Sequence, residues 1–146
     1  MPSESPLEAS RSLVVGLGWS GQPEAELLER AVRAVFQQHG LSLDAVRLLA
    51  TLERKGRDPA LAALLARLDW PLRLYSVEEL RVARGLTLRS EQVERYVGTP
   101  TVAEAAALCG AGASVLLLRR QVVREGAVSV TLALARVPFA PGGEAA

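Results

Sequence analysis

The sequence predicts a three-layer α/β domain, with βαβ units first and an antiparallel hairpin at the C-terminal end of a mixed β-sheet. Three observations lead there. Short apolar runs alternate with segments of helical periodicity through most of the chain, and cap or breaker residues stand at their junctions. The last third then changes to a period of two, as strands with unlike faces do. The chain's 146 residues suit one core, and a 49% hydrophobic content can fill it without disulfides or a structural metal.

Residues 1–11 and 138–146 read as disordered tails, which leaves 12–137 as a single domain. Leu13-Val14-Val15 is a short buried strand, followed by the glycine loop Gly16-Leu17-Gly18-Trp19-Ser20-Gly21. Pro23 suits the first position of a helix, and Glu24 and Glu26 suit its first turn. Leu28, Ala31, Val32 and Val35 then recur at helical spacing until Gly40. Val46 to Thr51 is a second strand. Asp58 before Pro59 is an N-cap followed by a natural first helical residue, and Leu61, Leu64, Leu65 and Leu68 share one face. Trp70-Pro71 ends that helix, and Leu72 to Tyr75 is a third strand.

Ser76 with Glu79 forms a capping box for a short helix that Gly85 can close. A further short helix fits Glu91 to Val97. Thr101 with Glu104 makes a second capping box, opening an Ala-rich helix that ends near Gly110. Val115 to Leu118 reads as a buried strand. Val128, Val130, Leu132 and Leu134 alternate as another, with a turn at Arg124-Glu125-Gly126 between the two.

Composition excludes several function classes. A formal net charge of +1 offers no footprint for nucleic acid or an anionic membrane. No apolar run reaches the length of a membrane span, and the N-terminus lacks the regions of a signal peptide, so a cytoplasmic protein is expected. Lys55 is the sole lysine among many arginines, most of which read as solvated helix faces. One cysteine, Cys109, and one histidine, His39, leave no donor set for zinc. No metal or cofactor is expected.

In an open α/β sheet, ligands bind outside the carboxyl ends of the strands. Three loops qualify here: 16–22, 52–58 and 75–76. The first reads G-x-G-x-x-G between strand and helix, which invites a dinucleotide reading. The acid expected about twenty residues later is missing, since 37–42 are Gln-Gln-His-Gly-Leu-Ser. A plain glycine turn and a site for another anion both fit. The second loop, Thr51 to Asp58, crowds Glu53, Arg54, Lys55, Arg57 and Asp58 past a strand end. A solvated turn accounts for it, and so does carboxylate recognition. Glu104 is either the N3 member of its capping box or a buried carboxylate able to act as general base. Cys109 reads as a packing residue, and His39 as a helix-end residue.

Five segments resemble one family, the C-terminal domain of the cobalamin-biosynthesis protein CbiG and its stand-alone counterpart CobE. They are Val15–Gly21, Ala50–Leu61, Pro71–Leu80, Thr101–Leu108 and Val130–Ala135, which together span most of residues 13–137. The resemblance implies a three-layer α/β fold and a place in corrin-ring construction. Longer CbiG proteins open a ring-A lactone of a cobalt-containing precorrin and release acetaldehyde, whereas CobE-type proteins belong to the oxygen-dependent route. This chain is expected to be the stand-alone form. Lys55 and Glu104 match their family positions. Trp19 and Ser20 stand where the family commonly carries Cys and a basic residue, and Asp58 where Glu is usual.

The expectation is therefore a protein that binds a precorrin or corrin intermediate at the strand ends. Gly16, Gly18, Trp19, Ser20, Gly21, Thr51, Lys55, Asp58 and Ser76 are its ligand-binding candidates, and Glu104 the catalytic one. A lactone hydrolase or ring-rearrangement enzyme with Glu104 as base is the alternative. A third reading is a non-catalytic partner of another pathway enzyme, or a homo-oligomer joined through edge strands such as 115–118.

Overall fold

The computed structural model describes residues 11–88 and 102–138, the side chains of 83–88 excepted. In chain order the elements are β1 (Leu13–Ser20), α1 (Ala25–Gln38), β2 (Val46–Leu52), α2 (Pro59–Leu68), β3 (Leu72–Tyr75), α3 (Val77–Leu88), α4 (Val102–Ala111), β4 (Leu118–Glu125) and β5 (Val128–Arg136). Short 3-10 turns at Leu43–Ala45 and Glu53–Arg57 flank β2. The sheet order is β3-β2-β1-β5-β4. The first three strands are parallel; β5 runs antiparallel to β1, and β4 antiparallel to β5. The predicted α/β fold with its C-terminal hairpin is what forms. Glu91–Val97, Thr101 and nearly all of both predicted tails lie outside the described residues.

The two faces of the sheet are packed differently. On one, Val15, Leu17, Trp19, Leu49, Leu132 and Leu134 meet Leu28, Val32 and Phe36 of α1 and Leu61 and Leu64 of α2. On the other, Val14, Ala50, Ala133 and Ala135 meet the alanines of α4, with Leu80 of α3 beside them. Small residues on both sides let α4 lie close to the strands. A Cβ on Gly16 would fall on the Ala103 carbonyl oxygen and stand 2.7 Å from the Ala107 nitrogen. Only glycine fits there.

That contact corrects the first prediction. β1 does not end at Val15 but continues through Gly16 and Gly18 to Ser20, paired with β5 along its whole length. Alternation explains the extension: Leu17 and Trp19 feed the α1–α2 core, while the two glycines face α4. Helix α1 begins at Ala25 with Glu24 as its N-cap residue, so Pro23 lies before the helix rather than at its first position. Its end is as expected: the Leu41 N–H donates to Phe36 O at 2.8 Å and the Gly40 N–H to Gln37 O at 3.2 Å, closing the last turn. Arg67 of α2 bridges Glu26 and Glu29 of α1 at 3.1 and 3.0 Å. Hydrogen bonds from Arg33, then Arg67, hold the Glu29 carboxyl below its ordinary range.

Asp58 caps α2 by accepting from the Ala60 N–H at 2.9 Å, with Pro59 next in line. The capping box of α3 also forms: Ser76 Oγ accepts from Glu79 N at 3.1 Å, and Glu79 Oε1 accepts from Ser76 N at 2.8 Å. The helix then passes through Gly85 to Leu88 instead of closing there. The predicted buried strand at Val115–Leu118 is also corrected. Val115 and Leu117 are 51% and 43% exposed, and the strand is the more polar stretch Leu118–Glu125 at the sheet edge. Between Leu118 and Gln121 the pairing slips, because β4 advances three residues while β5 advances two from Leu134 to Leu132.

Candidate functional site at the strand ends

The site begins where two parallel strands part. After a slip between Leu13 and Val14, β1 and β2 pair evenly as far as Gly16 and Ala50, and no pairing between them follows. The carbonyls of Leu17 and Trp19, two residues apart, point into the widening gap. Side chains of the next segment answer them: Thr51 Oγ1 donates to Leu17 O at 2.6 Å, and Lys55 Nζ donates to Trp19 O at 3.0 Å. The ammonium also lies 4.9 Å from the centre of the Trp19 ring, within cation–π range. Lys55 thus ties the 3-10 turn to the end of β1.

Above this joint lie two adjoining depressions. One, of about 510 Å³, is lined by Trp19, Gly21, Gln22, Lys55, Asp58 and Pro59. The other, of about 460 Å³, is lined by Leu52, Glu53, Ser76 and Val77. Arg54 and Arg57 line both and form the ridge between them. Gly21 turns the chain away at a φ of +84°, a conformation suited to glycine. A third, smaller hollow of about 170 Å³ opens on the far side of Trp19, among Gly18, Ser20, Val102, Ser129 and Thr131.

The ridge is the electrostatic centre of the site. Arg30, Arg33, Arg67 and Arg81 are engaged by glutamates at 2.7–3.1 Å. Among the described residues Arg54 and Arg57 have no ion-pair partner, and both are exposed. With Lys55 they set three cations against Glu53 and Asp58, and Asp58 is already occupied as a helix cap. The N-terminus of α3 is likewise satisfied by its own box, which leaves the guanidinium groups, rather than a helix end, as the donors exposed at the ridge.

Residues 13–135 match the family described as cobalamin synthesis G, C-terminus. The chain belongs to this family. Protein CobE of a Sinorhizobium species is 32% identical over 117 residues, covering 80% of this chain and 76% of that protein. The crystal structure of CobE, a protein from the cobalamin (vitamin B12) biosynthetic pathway, aligns with a TM-score of 0.68 and 27% identity, covering 94% of this chain and 96% of that one. The cobalt-precorrin-5A hydrolase of Priestia megaterium is 26% identical over 127 residues, which is 87% of this chain but 33% of that protein. The protein is thus a cobalamin biosynthesis protein of the CobE/CbiG type.

Within this family member, the predicted site residues separate into three groups. Trp19, Gly21, Lys55, Asp58 and Ser76 come together on the two depressions, and Ser20 and Gly18 border the smaller hollow. Gly16 and Thr51 lie beneath: Gly16 is covered by α4, and Thr51 is fully buried. Trp19 is 8% exposed and belongs to the α1–α2 core, so it offers an edge rather than a broad stacking face. Glu104, also fully buried, stands apart on α4 and accepts from the Arg120 backbone N–H through Oε2 at 3.1 Å. Cys109 is half-buried with its Sγ 3.7 Å from Glu79 O, and burial followed by the Glu79 charge pushes its thiol up from the ordinary range. That suits packing, not nucleophilic attack.

Sequence reasoning passed over Arg54 and Arg57 as site residues. They were visible in the charged loop, yet nothing in the sequence separates them from the chain's other arginines. The distinguishing signal is their shared place between the two depressions, which only the fold shows. No helix among the described residues is long and apolar enough to cross a membrane, and no cluster of His, Cys, Asp and Glu there could hold a metal ion.

Proposed function

We propose that the protein binds a precorrin or corrin intermediate at the strand ends, in the oxygen-dependent route and in the cytoplasm. The carrying observation is the ridge of Arg54 and Arg57, two exposed guanidiniums without ion-pair partners between two adjoining depressions. Corrin intermediates carry many peripheral carboxylates, and guanidinium recognises a carboxylate through paired N–H donors. Lys55 adds charge from the side, while Gly21 and Ser76 shape the rims.

The test is a spectral titration of the purified protein with successive pathway intermediates. At least one should shift its visible absorbance on binding, and the double variant Arg54→Gln/Arg57→Gln should weaken that binding by about tenfold or more. No shift with any intermediate would sink the reading.

A second reading, lactone opening with Glu104 as base, draws on the relative named as a cobalt-precorrin-5A hydrolase. It requires substrate to reach a carboxylate that is wholly covered. Incubation with the lactone intermediate and product analysis decides it: turnover lost in Glu104→Gln, with stability retained, would favour this reading over simple binding.

A further inference from the structure

The two depressions differ in chemistry, and the difference assigns an orientation to the ligand. The one beyond the ridge towards β3 is walled by Leu52 and Val77 and contains the carboxylate of Glu53. Val77 is 54% exposed, a large apolar side chain on the first turn of α3 with nothing described covering it. The depression towards β1 holds Lys55 together with the same two arginines, and its one acid, Asp58, already accepts from Ala60 N. Charge therefore falls off across the ridge towards β3, and the exposed Val77 stands on that less cationic side.

We infer, resting on the tetrapyrrole reading above, that the ligand straddles the Arg54–Arg57 ridge, with its apolar ring face on Val77 and acid arms in the Lys55 depression. Val77 is then a specificity-determining residue for a flat apolar body. Glu53 is an opposing charge that weakens binding of any ligand carrying acids near it. A ligand that is acidic but lacks a ring would fill the Lys55 side alone and ignore Val77. A ring whose acids have become carboxamides would lose the arginine contacts, since a guanidinium pairs far better with a carboxylate than with an amide.

The test uses the full chain and a metal-free corrin with its peripheral side chains as free acids, followed by absorbance at low and moderate salt. Val77→Asp should weaken binding by about tenfold, because a desolvated charge would face the ring, while Val77→Leu should bind as the parent does. Val82→Asp, a change at a 65% exposed position on the same helix but outside both depressions, should have no effect. Glu53→Gln should tighten binding by about threefold to fivefold, a gain that shrinks as salt is added. The carboxamide form of the ring should bind at least about tenfold more weakly than the free acid. Circular dichroism and thermal midpoints confirm that each variant is folded.

Equal binding by Val77→Asp and Val82→Asp would overturn the orientation, as would weaker binding in Glu53→Gln. Those outcomes leave the arginine ridge standing. Absence of binding by the parent protein, or binding indifferent to Arg54→Gln/Arg57→Gln, overturns the underlying reading and this inference with it.

Discussion

Glu104 reaches from the first turn of α4 to the backbone of β4, where its Oε2 accepts the Arg120 N–H at 3.1 Å. Arg120 lies in the irregular stretch between Leu118 and Gln121, where β4 carries one residue more than β5 can match. A bulge leaves a residue out of the ladder, and here a buried carboxylate supplies the missing acceptor. The helix and the edge strand are thereby held in one register. Replacing Glu104 by Ala should cost about 2–4 kcal/mol in urea unfolding, since a covered N–H loses its charged partner. Glu104→Gln keeps an acceptor and should cost less than half as much. Equal losses in the two variants would show that charge, not acceptance, matters at this position.

Gly16 and Gly18 face the same helix but make unequal demands. A methyl group at Gly16 would overlap the backbone of α4, so Gly16→Ala should lose about 3 kcal/mol of stability. At Gly18 the nearest atom to an added Cβ is 3.9 Å away, and Gly18→Ala should stay within about 0.5 kcal/mol of the parent. Chemical denaturation of the two variants side by side gives the comparison.

The joint between β1 and β2 can be opened one bond at a time. Thr51→Val removes the donor to Leu17 O from a fully buried position and should cost about 1–2 kcal/mol. Lys55→Met removes the bond to Trp19 O and the ring contact from a partly exposed position, and should cost nearer 1 kcal/mol. The second change should also alter the fluorescence of Trp19, measured in a Trp70→Phe background. An unchanged spectrum would mean that the ammonium does not sit at the ring in solution.

Cys109 should be slow to alkylate. Burial, reinforced by Glu79, raises its thiol pKa, so at any pH near neutrality less thiolate is present than in a free cysteine. Its reaction with iodoacetamide should lag that of a cysteine-containing peptide at pH 7.5, and the gap should narrow as pH rises above the peptide thiol's own pKa. In Glu79→Gln the lag should shrink but persist, because burial is the larger cause.

Local chemistry was legible in the sequence wherever a few neighbouring residues decide the outcome. Asp58-Pro59 and Ser76 with Glu79 announced helix starts that form as read, and Leu72 to Tyr75 is the strand expected. Readings failed where the deciding partner is distant. Gly16 looked like a loop residue because Ala103, the reason for its missing side chain, comes nearly ninety positions later. The run at Val115–Leu118 looked buried by composition, but nothing local says that the sheet edge begins at Leu118 and that its bulge breaks the alternation. The rim is half legible: Lys55, Asp58 and Gly21 are candidates from the sequence, while the ridge of Arg54 and Arg57 emerges only once the fold sets both between the two depressions.

The closeness of α4 to the sheet sets terms for how this protein can change over generations. At Gly16, where the strand meets the backbone of α4 at Ala103 and Ala107, no flexible side chain stands between them, so added volume must displace a backbone. Drift at that contact is barred to any residue with a side chain. The opposite face, rich in leucine and valine, can trade bulk between neighbours. Since β1 carries both the seat of α4 and the carbonyls that anchor Thr51 and Lys55, a mutation far from the rim on the tight face would be felt at the rim as a shift in position. The rim would then vary by exchanging its charges, with its scaffold held still.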